Sequence, residues 1–348
     1  MNNTQSIGQK PAISIALCTY NGEKYLEEQL QSLLNQTLKP QEIVIIDDAS
    51  QDRTLEILTV FKANAPFEVT IISNFTNQGL TENPWNNFFR ATALCKHELV
   101  SFCDQDDIWY PSKLEILSKP LIENKEIMLS FCNTMVTDEN LNPTGLLYSL
   151  QKSKIFSIYD FDLLSFLPLG FTQLFRKSLI PDSWKMRPRG IYFDRPMAHD
   201  EFVSLLAMLN GKISYCSQEL ALYRRHNTAH SISSDREKLT DIQSKRNRNK
   251  LKQYRELCSA SYNSKSEIYL NWTNYLNLNF NNDRFKEAIY FYEKIYNAYK
   301  LRAKIYEESD NLLRIKYFFE LIKNKYFLHS RSDMRFSSLI KDCFFSII

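Results

Sequence analysis

The chain has 348 residues, of which 44% are hydrophobic, enough for one large α/β domain and an accessory segment but short for three domains. Its 43 Lys and Arg residues nearly balance its 40 Asp and Glu residues, so the net charge of +3 gives no reason to expect a nucleic acid partner. Seven scattered cysteines without a paired framework, and no apolar run of about 18 residues, predict a cytoplasmic protein without a membrane span.

Short β-branched runs alternate with helical patterns in the first hundred residues. The predicted strands are Ile13–Cys18, Glu42–Ile46, Val69–Ile72 and Leu99–Cys103. Ser50 is expected to cap the helix after the second strand, and Asn83 followed by Pro84 predicts another helix start. Strands separated by helices predict a parallel sheet with right-handed crossovers, in which ligands bind beyond the carboxyl ends of the strands.

The middle of the chain is mixed. Met128–Thr137, Ile213–Cys216 and Leu220–Tyr223 are predicted strands. His199–Asn210 is a predicted helix, which Gly211 is expected to close with a left-handed cap.

From about residue 231 Gly and Pro disappear, so we divide the chain into a domain of residues 1–232 and a helical region of residues 233–348. Helical periodicity is clearest in Phe285–Lys304 and Asn311–Tyr326. Basic and aromatic residues alternate in Tyr290–Lys304 and Lys316–Phe327, which suits either a packing or oligomer-contact domain or a helix lying on a membrane surface.

The strongest chemical signal is Asp104-Gln105-Asp106-Asp107, directly after an apolar strand. Carboxylates this close raise each other's pKa unless something positive lies between them. Mg²⁺ and Mn²⁺ prefer oxygen ligands, and Mg²⁺ fills its coordination shell with substrate phosphates. The cluster therefore indicates a metal-held nucleotide diphosphate, and the alternative is a solvated acidic loop.

Three weaker signals accompany this cluster. Asp47-Asp48 ends the second strand, where it can bind a ribose or a base, or cap a helix. The same pattern also resembles a phosphate-accepting aspartate motif. His199-Asp200-Glu201 begins a helix, where Asp200 can act as a general base or simply enrich the first turn in acid. Tyr223-Arg224-Arg225-His226 follows a strand and can bind a diphosphate or a metal, or form an exposed basic loop. Dinucleotide-binding, P-loop, nucleophile-elbow and zinc-protease signatures are missing from the sequence.

The order of these motifs resembles the GT-A-fold glycosyltransferases of family 2, in particular a rhamnosyl- or galactosyltransferase-like subgroup of bacterial surface polysaccharide assembly. The resemblance covers roughly residues 11 to 232. It rests on Ile15–Leu26, Leu33–Thr37, Val44–Asp52, Asp104–Trp109 with Pro111 and Lys113, His199-Asp200, and Tyr223–His226. It implies a mostly parallel, Rossmann-like α/β sheet flanked by helices, with a helical C-terminal region.

The resemblance also implies roles for single residues. Donor binding falls to Thr19, Tyr20, Asp47, Asp48, Asp104 and Arg224, with Tyr20 stacked on the nucleobase and Asp48 at the base or ribose. Asp104, Asp106 and His226 are implied as metal ligands, and Asp200 as the catalytic base. The implied cofactor is Mn²⁺ or Mg²⁺, and the donor substrate is a nucleotide-diphosphate sugar.

The sequence departs from the family pattern at three places. Ala49 stands where glycine is usual, and Cys18 stands where proline or a small polar residue is common. The segment Asn74–Asn83 lacks the basic residue often found in the donor-side loop, which leaves the metal and Arg224 or Arg225 to neutralise the phosphates.

The implied function is inverting transfer of a sugar to an oligosaccharide or lipid-linked acceptor, in the cytoplasm or at the inner face of the membrane, where the C-terminal region can make a peripheral contact. Three alternatives remain open. They are a nucleotidyltransferase, an aspartate phosphate-transfer protein and a non-catalytic protein that binds sugar nucleotides or glycans.

Overall fold

The computed structural model describes residues 11–74, 85–158, 167–188, 196–226, 248–280, 283–324 and 342. Within these residues the strands are β1 (Ile13–Thr19), β2 (Glu42–Asp47), β3 (Glu68–Ser73), β4 (Leu99–Cys103), β5 (Ile108–Trp109), β6 (Ile127–Thr137), β7 (Pro143–Leu146), β8 (Lys154–Phe156), β9 (Gln173–Arg176) and β10 (Lys212–Arg224). The helices are α1 (Leu26–Leu34), α2 (Thr54–Asn64), α3 (Asn86–Leu94), α4 (Lys113–Glu123), α5 (His199–Asn210), α6 (Arg248–Asn279), α7 (Asp283–Glu307) and α8 (Asn311–Lys323).

These elements fall into two compact units. The first unit holds the described residues up to Ile158, those from 167 to Arg187 and those from Pro196 to 226, and it contains the whole sheet. The second unit contains α6, α7, α8 and Asp342.

The central sheet of the first unit has the strand order β3-β2-β1-β4-β9-β6-β10-β5, with β7 beside β6 and β8 beside β10. The strands from β3 to β4 are parallel, and antiparallel pairs enter where β9 lies between β4 and β6. Ile13, Ile15, Ala16 and Leu17 of β1 are fully buried, as expected for a strand with both faces covered. The predicted α/β class is confirmed.

The elements predicted from apolar patterns are largely observed. The four predicted N-terminal strands correspond to β1 to β4, and α5 has the predicted bounds His199–Asn210. Ile213–Cys216 and Leu220–Tyr223 belong to one strand, β10, whose register shifts between Cys216 and Glu219. This irregularity explains why the apolar pattern suggested two strands.

Two predicted helix caps are wrong. Gly211 follows α5 with a φ of 177°, which is extended backbone, and glycine is required because a Cβ would lie 2.2 Å from the Glu126 carbonyl oxygen. The helix after β2 begins at Thr54, and Asp52 rather than Ser50 accepts the Thr54 backbone N–H, at 3.0 Å. The predicted helix start at Asn83 and Pro84 lies outside the described residues.

The second unit is helical, as predicted for the C-terminal region. Phe285–Lys304 lies within α7, and Asn311 begins α8, although residues 325–327 lie outside the described residues. Its core is aromatic: the Tyr269 ring packs against Trp272, Tyr292 and Tyr299 at centroid distances of 5.2, 5.6 and 5.8 Å. Among the described residues no helix is long and apolar enough to span a bilayer.

Candidate active site

Three neighbouring strands end at the same edge of the sheet. β1 lies between β2 and β4, and its register pairs Thr19 with Asp47 and Leu17 with Cys103. The polar residues that follow each strand are therefore neighbours in space. This edge matches the general position of ligands in open parallel sheets.

Asp47 holds the loop that follows β2. Its carboxylate is fully buried and accepts hydrogen bonds from Thr19 Oγ1 (2.9 Å), Ser50 N (3.0 Å), Ser50 Oγ (2.5 Å) and Ser73 Oγ (3.2 Å). A carboxylate offers about four lone-pair sites, so all of them are used. Asp47 and Thr19 therefore hold the loop, and the donor contact expected of them from the sequence stays a prediction.

Ala49 forms the turn after Asp48 without a glycine. Its φ is +63°, in the left-handed region that alanine rarely adopts. Asn21, in the facing loop after β1, has a φ of +45°, and its side-chain oxygen accepts the Gln51 backbone N–H at 2.8 Å. Two unusual backbone conformations thus meet at the sheet edge, held by hydrogen bonds between the loops.

Asp48 lies at the end of a polar network that reaches α3. Its Oδ1 accepts a hydrogen bond from Asn74 Nδ2 at 2.7 Å. Arg90 Nη1 donates to Asn74 Oδ1 and to Asn87 Oδ1, at 2.9 Å each. Arg90 therefore brings a positive charge to a place where the sequence of the preceding loop offered none. It was missed because a single arginine inside an apolar helix carries no recognisable pattern.

Cys18 shows how close these charges are. Burial raises the pKa of its thiol, the carboxylates of Asp104 and Asp48 raise it further, and Arg90 opposes them. The ends of β1, β2 and β4 and the side chain of Arg90 therefore share one electrostatic environment.

Gln105 ties the acidic loop to the loop after β1. Its Oε1 accepts the Tyr20 backbone N–H at 2.8 Å, and its Nε2 donates to the Tyr20 carbonyl oxygen at 3.0 Å. Gly22 leaves room for this amide, because a Cβ at that position would lie 2.5 Å from Gln105 Oε1. Gln105 therefore fixes the backbone of Tyr20 relative to Asp104 and Asp106, the carboxylates on either side of Gln105.

The predicted catalytic and metal-binding side chains come together around Asp104. Burial, and then the nearby carboxylates of Asp106 and Asp200, raise the pKa of Asp104 to about 8. Asp106 Oδ2 lies 2.9 Å from His226 Nε2. Three carboxylates and an imidazole from β4, α5 and β10 thus converge, although they are up to 122 positions apart in the chain.

Lys113 supplies a positive charge behind the acidic loop. It is fully buried, its Nζ lies 3.3 Å from the centroid of the Trp109 ring, and it donates a hydrogen bond to the Phe171 carbonyl oxygen. Burial lowers its pKa to about 8, although Asp107 and Asp104 favour its charged form. Asp107 is 1% exposed, and its Oδ2 has no hydrogen-bond partner within the described residues. The sequence pattern had suggested only a metal as the counter-charge.

Arg224 braces the acidic loop. Its side chain is 4% exposed, its Nε and Nη1 donate to the carbonyl oxygens of Asp106 and Glu139 at 3.1 Å each, and its Nη2 binds the Glu28 carboxylate. These donor groups of Arg224 are used within the protein, and the donor contact expected from the sequence stays a prediction. The neighbouring Arg225 is partly exposed.

His199 is packed as part of the core beside Asp200. Its ring stacks on Phe88 at 3.9 Å and meets the edge of Phe102 at 4.6 Å. A Cβ on Gly170 would lie 2.4 Å from His199 Nε2. Packing against Phe88 and Phe102, together with the absence of a side chain at Gly170, therefore fixes the position of His199 at the start of α5.

Asp200 lies in the first turn of α5 and is 8% exposed. Its Oδ1 accepts the Glu201 backbone N–H at 2.8 Å, and the Glu201 carboxylate accepts the Ala198 N–H at 2.8 Å. Unpaired N–H groups at a helix start favour an ionised carboxylate. Asp200 is thus held in the first turn of α5, near enough for its charge to raise the pKa of Asp104.

A metal ion at this site would rely on few protein ligands. Within the residues that the structure describes, no three His, Cys, Asp or Glu side chains are arranged to hold a metal by themselves. Asp106 and Asp104 nevertheless suit Mg²⁺ or Mn²⁺, which often bind one or two carboxylates and take further oxygens from phosphates. The arrangement fits a metal that binds together with a nucleotide diphosphate.

Comparison with known proteins agrees with this geometry. Residues 14–184 match the sequence model described as "Glycosyl transferase family 2". The chain is 34% identical over 99 residues to dTDP-rhamnosyl transferase RfbG of Shigella flexneri, covering 28% of this chain and 34% of that protein. It is 30% identical over 129 residues to the putative glycosyltransferase EpsE of Bacillus subtilis, covering 37% and 45%. The matches thus span less than half the length of these relatives.

Solved structures show the same fold. The crystal structure of Staphylococcus aureus TarS 1–349 in complex with UDP-GlcNAc superposes with a TM-score of 0.57 and 19% identity, covering 97% of this chain and 88% of that one. TarS is named a poly(ribitol-phosphate) β-N-acetylglucosaminyltransferase and is 26% identical over 226 residues, covering 64% of this chain and 37% of that protein. Residues 14–184 therefore form a family 2 glycosyltransferase domain, and the fold is that of the GT-A glycosyltransferases.

Proposed function

We propose that this protein is a metal-dependent, inverting glycosyltransferase that moves a sugar from a nucleotide-diphosphate donor to a glycan or lipid-linked acceptor. The observation that carries the proposal is the convergence of Asp104, Asp106, Asp200 and His226 at the edge where β1, β2 and β4 end. Family membership supports sugar transfer in polysaccharide biosynthesis as the general reaction.

The donor binds across the loops after β1 and β2. Tyr20 is partly exposed and has its backbone fixed by Gln105, which suits a side chain that stacks on a nucleobase. Asp48 is positioned to accept hydrogen bonds from the base or the ribose, while Asn74 holds one of its oxygens. Because Asp47 has no acceptor site left, it is also a poor candidate for phosphate transfer to an aspartate.

Asp106 and Asp104 would hold a Mn²⁺ or Mg²⁺ ion, and His226, whose Nε2 lies 2.9 Å from Asp106 Oδ2, is the third expected ligand. The metal, when bound, stabilises the negative charge that develops on the leaving diphosphate. Before the metal and the donor bind, Lys113 supplies a positive charge that partly balances the carboxylates of the acidic loop. Arg90 and Arg225, which are partly exposed, are further side chains available to a phosphate.

Asp200 removes the proton from the acceptor hydroxyl as that oxygen attacks the anomeric carbon. One displacement from the face opposite the leaving group inverts the anomeric configuration. A base on the first turn of a packed helix suits this step, because the packing of the helix fixes its position.

Replacing Asp200 with asparagine tests this assignment. We expect Asp200→Asn to retain donor affinity and to lose roughly 100-fold or more of kcat, because a general base contributes mainly in the transition state. Isothermal titration with the donor and single-turnover kinetics measure the two quantities, and nuclear magnetic resonance of the product reports its anomeric configuration. Retention of configuration, or weak donor binding with unchanged kcat, would rule out Asp200 as the base.

The proposal includes action in the cytoplasm with a peripheral membrane contact through the C-terminal helices. α8 presents Leu312 (77% exposed) and Phe319 (62% exposed) on one face with the exposed Lys316 and Lys323, at a spacing of about one turn. Flotation with anionic vesicles tests the contact, which Leu312→Ser with Phe319→Ser should abolish. The matched control is Leu278→Ser, a change at an 85% exposed residue of α6.

A further inference from the structure

Two arginines of the helical unit bury N–H groups that have no hydrogen-bond partner among the described residues. Arg314, on α8, is 3% exposed, and the group concerned is its Nη1. Arg255, on α6, is partly exposed, and the groups concerned are its Nε and Nη2. Neither arginine forms an ion pair within the part of the chain that the structure describes.

Both side chains lie near the corner between α7 and α8. Arg314 is anchored there, because its Nε and Nη2 donate to carbonyl oxygens of the connection 308–310, at 2.5 and 3.1 Å. Ser259 of α6 donates to the Glu307 carboxylate at 2.6 Å, at the end of α7. Arg255 precedes Ser259 by four residues and so lies on the same face of α6. Burial, and then the charge on Arg314, lower the pKa of Arg255, as expected for neighbouring cations.

The described carboxylates around this corner make other contacts, and Glu308 Oε1 accepts the Ser309 and Asp310 backbone N–H groups at 2.8 and 3.1 Å. Asp342 pairs with Arg302 at 2.7 Å and accepts a hydrogen bond from Tyr306 at 3.0 Å. The exposed Glu307 accepts from Ser259 and from Asn263 Nδ2. Asp310 caps α8 by accepting the backbone N–H groups of the first turn. Since arginine does not deprotonate in proteins, Arg255 and Arg314 remain as neighbouring cations whose charges no group among the described residues neutralises.

We propose that Arg255 and Arg314 bind a phosphate group at the corner between α7 and α8. Buried charges in native proteins are paired, and an unsatisfied buried donor commonly marks an ion. The two guanidinium groups offer three unused donor atoms, Nη1 of Arg314 and Nε and Nη2 of Arg255. A phosphate presents several acceptor oxygens and up to two negative charges, and arginine forks bind it with paired hydrogen bonds. The partial exposure of Arg255 leaves one side open to solvent.

Thermal unfolding of the full chain with inorganic phosphate tests this site without requiring any transferase activity. At constant ionic strength we expect about 10 mM phosphate to raise the Tm of the wild type by about 3 °C or more, because a ligand of the folded state alone stabilises it. Arg255→Gln should lose this shift. In phosphate-free buffer Arg255→Gln should unfold at the same temperature as the wild type or above it, because it removes one of two uncompensated like charges.

Lys316→Gln is the matched control, since Lys316 is an exposed cation on α8 two residues beyond Arg314. This variant should keep the phosphate shift of the wild type. An absent shift in the wild type, a full shift in Arg255→Gln, or an equal shift with acetate in place of phosphate would each overturn the proposal. Phosphate that bound at the sheet edge instead would raise the Tm of Arg255→Gln as it raises that of the wild type. Failure of this phosphate site can therefore be told apart from failure of the proposed transferase function.

Discussion

Lys113 is the residue on which the charge balance of the acidic loop depends. It is buried among Trp109, Phe171 and Asp107, where its own pKa falls to about 8. Its charge lowers the pKa of Asp104 and Asp107, opposing burial and the other carboxylates. A fixed cation of this kind lets the loop stay folded and partly ionised whether or not a metal is bound.

Removing this cation should shift the pH dependence of the reaction. In Lys113→Met the pKa of the loop carboxyl groups rises, so at pH 7 fewer of them are ionised and able to bind a metal. We expect metal-dependent nucleotide release to fall roughly 10-fold or more at pH 7 and to recover partly towards pH 9. Lys119→Met, at an exposed lysine of the same helix that pairs with Glu115, should keep the wild-type pH profile. Equal loss at every pH would show that Lys113 acts only through packing.

Ala49 offers a test of backbone strain at the same edge. Its φ of +63° costs an L-residue roughly 1–2 kcal/mol, whereas glycine adds about 0.4–1 kcal/mol of entropy to the unfolded chain. Ala49→Gly should therefore raise the free energy of unfolding by up to about 1 kcal/mol in urea denaturation. Ala65→Gly, at a φ of −69°, is the control and should lower it. Destabilisation by both changes would mean that the turn is not strained.

At the scale of elements, apolar runs were a good guide where they recorded burial. The strands β1, β2 and β4 follow from short continuous apolar runs because nearly all of their residues are buried, and α5 follows from a longer run that is buried all round. The antiparallel β9 and the two-residue β5 did not follow from the sequence pattern, since short strands carry too few residues for a period. The caps failed because Asp47, not the helix, uses the Ser50 hydroxyl, and because the Glu126 carbonyl, not a positive φ, requires Gly211.

The packing between Gly170 and α5 should control the position of Asp200. A methyl group at Gly170 would meet His199 Nε2 at 2.4 Å, and Phe88 and Phe102 leave that ring little freedom to move. We expect Gly170→Ala to lower stability by about 1–3 kcal/mol and to reduce kcat more than donor affinity.

A second substitution separates this packing effect from a general one. In the His199→Ala background the same Gly170→Ala change should cost much less, because the ring that it meets is gone. Chemical denaturation of the four proteins of this double-mutant cycle gives the coupling directly. Additive losses would show that the two residues do not act on each other.

At the scale of the whole molecule, the sequence identified the edge of the sheet, but not which residues at that edge face a ligand and which hold the loops in place. Asp104, Asp106, Asp200 and His226 were named from motifs, and the structure brings them together. Thr19, Asp47 and Arg224 were also named, but their hydrogen bonds are made to the protein itself. A motif records which residues recur together, whereas only the folded chain shows which of their donors and acceptors remain for a ligand.

The most direct test of this account is donor-dependent nucleotide release by the purified full chain. A panel of UDP-, GDP- and dTDP-sugars is tested with and without Mn²⁺ or Mg²⁺, on the wild type, on Asp106→Ala and on Glu56→Ala, a change at an exposed carboxylate of α2. We expect metal-dependent release from one donor, a loss of roughly 100-fold or more in Asp106→Ala, and unchanged release in Glu56→Ala. Release from no donor, or release that depends on neither the metal nor Asp106, would contradict the central claim.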